Sequence, residues 1–95
     1  MKISFSALAK EDLIDIWLYG EDVWGAPAAD SYLDSIDTFF KSLSKAPEKY
    51  ALRSDFQPPV RIAPFKKQLI VYIETKTAIK IIRVLHESMN VPQHL

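Results

Sequence analysis

The sequence predicts an α+β fold, β-α-α-β-β-β, in which an antiparallel sheet packs on an N-terminal helix hairpin. Two long stretches carry apolar residues at helical spacing. Glycine closes the first and proline the second, and three later runs alternate apolar and polar residues at strand spacing. The helix hairpin must bury its apolar stripe, and the only surface available is one face of the sheet. A chain of 95 residues supports one such domain, 1–95, burying about 60–65% of the surface its unfolded form exposes.

The elements follow in order. Lys2 to Ser6 alternates Ile3 and Phe5 with polar neighbours, as a short strand does. Ser6 offers an N-cap oxygen to a helix over Ala7–Trp24. Ala9, Leu13, Ile16, Trp17, Gly20, Val23 and Trp24 share its predicted core face. Gly20 there lets another element approach closely, and Gly25 ends the helix at C′. Pro27 suits the first turn of a second helix. That helix carries Ala29, Tyr32, Leu33, Ile36, Phe39, Phe40 and Leu43 as its stripe and stops at Pro47. A joint of two or three residues makes the pair an antiparallel hairpin. Residues 47–59 show no period. Strands are predicted over Val60–Phe65, Gln68–Glu74 and Ala78–His86, and Pro64 marks the first as an edge or bulged strand. A short tail, Ser88–Leu95, completes the chain.

Composition narrows the function classes. There is no cysteine, so disulfides and thiolate metal sites are excluded. The longest uninterrupted apolar run is Leu69–Ile73, which predicts no signal peptide, no membrane span and a cytoplasmic location. Net charge is zero but uneven. Residues 1–37 hold two lysines against eight acids, whereas residues 38–95 hold ten basic residues against four acids. Such a polar molecule suits a protein partner better than nucleic acid.

Two surfaces carry more apolar area than a solitary sheet and helix need. At regular strand parity the last strand puts Ile79, Ile81, Arg83 and Leu85 on one face and Ile82 and Val84 on the other. Both faces of the sheet are then substantially apolar. In the first helix, Ile14 and Leu18 form an i, i+4 pair away from the core face, beside Glu11, Asp15 and Asp22. Ile14, Leu18, Ile82 and Val84 are therefore the predicted partner-binding residues, fitted to an amphipathic helix.

Candidates for chemistry are few. His86 and His94 lie eight residues apart without cysteine, which is not a metal-ligand pattern. The chain has only Gly20 and Gly25, so it lacks a glycine-rich phosphate loop, and no cofactor is expected. RNA cleavage would need cations and a base, for which Arg61, Arg83 and His86 are the candidates. Strand parity separates Arg83 from His86. The alternative is that Arg83 pairs with an acid on a helix while His86 ends the sheet.

Three segments then resemble a known family along nearly the whole chain. The first is Ala9-Lys10-Glu11-Asp12-Leu13-Ile14-Asp15-Ile16-Trp17, continuing to Trp24-Gly25. The second is Ala29-Asp30-Ser31-Tyr32-Leu33 with Pro47 closing the helix. The third is Lys80-Ile81-Ile82-Arg83-Val84-Leu85-His86-Glu87-Ser88-Met89-Asn90, with His94-Leu95 at the end. Together they resemble the ParE toxins of the RelE/ParE superfamily. The resemblance implies the same β-α-α-β-β-β fold and a non-enzymatic toxin that inhibits DNA gyrase. It also implies neutralisation by a ParD-like antitoxin in a toxin–antitoxin hetero-oligomer, with no direct nucleic-acid binding without the antitoxin. Arg83, His86 and Met89, with the tail, are the expected target-binding residues. Two other readings stay open. One is a RelE-type ribosome-dependent mRNA endoribonuclease, which typically uses basic sheet residues. Here Gln68 stands where such an enzyme carries arginine, and the tail has no tyrosine. The other is a nontoxic relative that only binds an antitoxin. The chain departs from the family at Pro58-Pro59, Gln68, Glu87 and Asn90.

Overall fold

A computed structural model describes residues 1–95. Its elements are β1 (Lys2–Phe5), α1 (Ala7–Trp24), α2 (Ala26–Lys45), a 3-10 turn (Pro47–Lys49), β2 (Leu52–Arg53), β3 (Val60–Phe65), β4 (Gln68–Glu74), β5 (Ala78–His86) and α3 (Val91–His94). The sheet order is β1-β5-β4-β3-β2. Strands β3 to β5 pair antiparallel as expected, and the unexpected β2 adds to β3 antiparallel as well. β1 pairs parallel to β5, because the helix hairpin carries the chain away before it returns, so the sheet is mixed. The two-residue β2 lay in the stretch without sequence period. It covers only Val60 and Arg61 of β3, which leaves Pro64 bordering an open edge where proline is tolerated.

Ser6 caps α1 as the sequence predicts. Its Oγ accepts from the Ala9 amide at 3.0 Å and donates to the Ile82 carbonyl at 2.6 Å, so one side chain starts the helix and ties it to β5. The joint between the helices is a single residue, shorter than expected. Gly25 has φ 94° and ψ 161°, a conformation that glycine alone adopts readily. Gly20 allows the helices to touch, since a Cβ built there would stand 3.3 Å from the Ala29 Cβ. Trp17 Nε1 donates to Asp30 Oδ1 at 2.8 Å across the same pair.

The helix-side core gathers Ala9, Ile36, Phe40 and Leu43 against Ile70, Tyr72, Ile79, Ile81 and Val84. Phe5 meets Phe40 edge-on at 5.4 Å, and Phe39 stacks on Phe65 at 4.5 Å. Val23 and Trp24, expected in this core, are exposed because the last turn of α1 overhangs the sheet.

The parity expected of β5 fails at a bulge. Val71 pairs with Arg83 but Tyr72 pairs with Ile81, so Ile82 is an extra residue. Ile79 and Ile81 face the helices, and after the bulge Val84 does so in place of Leu85. Leu85 joins Val60 and Val71 on the far face, with Ile82 packed beside them. Val84 is therefore core, 3% exposed, on the helix side of the sheet and not on the open far face where regular parity would put it. The far face is also less bare than expected. Phe56 from the loop before β3 and Val91 from α3 pack over it.

Candidate partner-binding cleft

Beyond Phe5, the edge of β5 that faces β1 has no neighbouring strand, and α1 supplies side chains in its place. Asp12 Oδ2 accepts from the Val84 amide at 2.9 Å. The same carboxylate takes the Arg83 guanidinium in two hydrogen bonds, Nε to Oδ2 and Nη2 to Oδ1, both 2.9 Å. Arg83 Nη1 donates to the His94 carbonyl at 2.9 Å, which holds down the tail. The hydrogen bonds it donates to Asp12 raise the pKa of Arg83 above its already high ordinary value. Both side chains of the pair are largely buried, at 15% and 13% exposure. Of the alternatives for Arg83, the ion pair with a helix acid is the one the fold uses.

Below this junction opens a cleft of about 670 Å³, within the size range of natural binding sites. α1 forms one wall with Asp15, Ile16 and Tyr19, and Trp24 stands at its rim. The β3–β4 turn and the end of β5 supply Lys66, Lys67 and His86, and Met89 joins them from the tail. Val84, Tyr32 and Gln68 also line it. Tyr19 and Trp24 are 64% and 59% exposed and meet edge-on at 6.0 Å. Lys66 has φ 53°, and its ammonium lies over the rings of Tyr32 and Phe65 at 5.2 and 5.4 Å. His86 Nδ1 accepts from the Ser88 amide at 3.1 Å and lies 2.7 Å from Ser88 Oγ. The neutral ring then carries its proton on Nε2.

The expected site residues fall into separate places. His86 and Met89 share the cleft, but Arg83 is spent on Asp12 and the tail. Ile14 and Leu18 are 58% and 51% exposed, about 100–140° round α1 from Tyr19. Ile82 is on the far face of the sheet. The three residues considered for RNA cleavage do not converge. Arg61 serves the Tyr50 carbonyl and Glu74, Arg83 serves Asp12, and His86 is turned to Ser88. Sequence reasoning missed Tyr19, Lys66 and Lys67 as lining residues. An aromatic among acids on the solvent side of α1, and a Lys-Lys pair between two strands, were the available signals.

The comparisons with known proteins agree with this architecture. Residues 3–91 match the family described as ParE toxin of type II toxin-antitoxin system, parDE. The protein Toxin ParE1 of Caulobacter vibrioides is 31% identical over 90 residues, covering 95% of this chain and 93% of that relative. A solved chain from a chromosomal ParDE system of P. aeruginosa superposes with a TM-score of 0.78 at 20% identity, over 90% of this chain and 95% of the other, and supports the fold. With the family model spanning nearly the whole sequence, this chain belongs to the ParE toxins of type II toxin–antitoxin systems.

Proposed function

We propose that this chain arrests growth in the cytoplasm by inhibiting DNA gyrase, catalyses no reaction itself, and is neutralised by a ParD-type antitoxin. Family membership supports the toxin assignment. The observation that carries the mode of action is a wide, apolar-rimmed cleft beside α1 in which Tyr19, Trp24 and Met89 remain uncovered. A binding protein needs such a surface. The commitment of Arg83 to Asp12 favours binding over cleavage, because it removes a cation a nuclease would need. His86 and Met89, next to the tail, are the proposed target contacts. Ile14 and Leu18, with Ile82 on the far face, are the proposed antitoxin contacts, and a chain that wraps the body reaches both sets.

The test is a supercoiling assay with purified gyrase and folded, antitoxin-free protein. Inhibition that disappears on adding the antitoxin is expected, and unimpaired supercoiling would refute the proposal. In parallel, Ile14→Asp with Leu18→Asp weakens antitoxin binding while the melting temperature stays near that of the parent. Unchanged affinity in that titration removes these two residues from the interface.

A further inference from the structure

We propose that the cleft is electrically polarised across its width and takes an amphipathic helix whose apolar stripe is flanked by cations on one side and anions on the other. This rests on the reading above that the cleft receives a polypeptide partner, and it specifies that partner's chemistry and direction.

The α1 wall is acidic. Asp15 lines the cleft, and Glu11 and Asp22 lie on the same side of the helix, all three exposed. The other acid on this wall, Asp12, is already neutralised by Arg83. The opposite wall is basic. Lys66 is fixed over Tyr32 and Phe65 with its Nζ 3.1 Å from Ser35 Oγ. Lys67 is exposed beside it, and His86, whose Nδ1 accepts from the Ser88 amide, continues the wall as an uncharged ring. α2 contributes only uncharged lining residues, Ala29 and Tyr32. Glu87 meets Lys67 through its backbone and does not line the cleft. Between the walls lie apolar Ile16 and Met89, with the buried Val84 beneath them.

A helix seated here presses its apolar stripe on the floor. Its flanks then face fixed charges of opposite sign, so cations belong beside α1 and anions beside Lys67. Turning the helix end for end exchanges the two flanks. The polarity therefore selects the direction of the bound chain as well as its composition. A uniform polyanion such as nucleic acid meets repulsion from Asp15, and a uniformly basic peptide meets it from Lys67. A second copy of this chain does not fit either. In α2 the acids Asp30, Asp34 and Asp37 precede Lys41 and Lys45 lengthwise, and α1 has Lys10 as its one cation.

The probes are three synthetic helical peptides with one shared leucine stripe and flanks that are mixed Lys/Glu, all Lys or all Glu. Fluorescence anisotropy with the full chain should rank the mixed peptide about fivefold tighter than either uniform one. That margin should collapse in about 0.5 M salt. Lys67→Glu, at an exposed position, should weaken the mixed peptide about fivefold, and Asp15→Lys should do so independently. A nitroxide at one peptide end should broaden the amide signals of the tail, and at the other end those near Trp24, with the pattern reversed for exchanged flanks. An all-Lys or all-Glu peptide that binds as tightly as the mixed one, equal broadening from both ends, or no binding by any of the three would overturn the proposal. A flat peptide ranking while the antitoxin still binds removes this inference alone. Failure to inhibit gyrase with the ranking intact removes the target reading alone.

Discussion

The two halves of α1 are held in place by different means. In the first half, side chains do the holding. Ser6 and Asp12 take the Ile82 carbonyl and the Val84 amide that β5 would otherwise offer to a longer β1. Asp12 also carries Arg83, and through it the tail. In the second half, glycines set the geometry, with a single side-chain hydrogen bond from Trp17 to Asp30 beside them. Gly20 lets α2 come into contact through Ala29, and Gly25 turns the chain in one residue. Tyr19, Val23 and Trp24 take little part and stay exposed. Where polar side chains are consumed by the fold, nothing is left for a partner. Where glycines set the geometry, large side chains remain free for one.

The sharpest way to break this contrast is Asp12→Ala. It strands a largely buried guanidinium and the Val84 amide together, so a loss of about 3 kcal/mol is expected in urea unfolding. A loss under about 1 kcal/mol would mean that the junction is solvated and that Arg83 is available for other work. At the other end Gly25→Ala should cost about 2 kcal/mol, because φ 94° is poor for any residue with a Cβ. An added Cβ there would stand 4.0 Å from Pro27 Cδ, an ordinary contact with no clash, so a thermal melt reads the backbone penalty alone. Ser6→Ala should cost about 1 kcal/mol, since it removes one cap but leaves Asp12 in place.

Much of this contrast was legible in the sequence. The bounds of α1 follow from Ser6 and Gly25, and the one-sided crowding at Gly20 follows from its place on the core stripe. The strand bounds of β3, β4 and β5 follow from β-branched runs between prolines and polar turns. The bulge at Ile82 did not show, because Ile82, Arg83 and Val84 alternate as a regular strand would. A bulge is decided by pairing with Val71 and Tyr72 across the sheet, which is non-local information. That single extra residue moved Val84 into the core. Nor did periodicity show that α1 outruns the sheet. Val23 and Trp24 keep the helical phase of the core face after the surface they would cover has ended. For the cleft, His86 and Met89 were within reach of sequence reasoning. The basic wall was signalled only by the Lys66-Lys67 pair, and its placement was not, since Lys66 reaches it through a left-handed backbone conformation.

The smallest expected effect on stability sharpens the comparison most. Replacing Tyr19 and Trp24 together by serine removes two rings that meet edge to edge at 6.0 Å and stand mostly in water. Their removal should change the unfolding free energy by no more than about 0.5 kcal/mol, as surface substitutions usually do. Antitoxin affinity should nevertheless fall by about tenfold or more, because exposed aromatic anchors commonly dominate an interface. If the double variant unfolds instead, the tip of α1 belongs to the fold and the division between its halves is wrong. If it stays folded and binds as before, the division stands but the antitoxin does not use the cleft rim, and its contacts are confined to the proposed set at Ile14, Leu18 and Ile82.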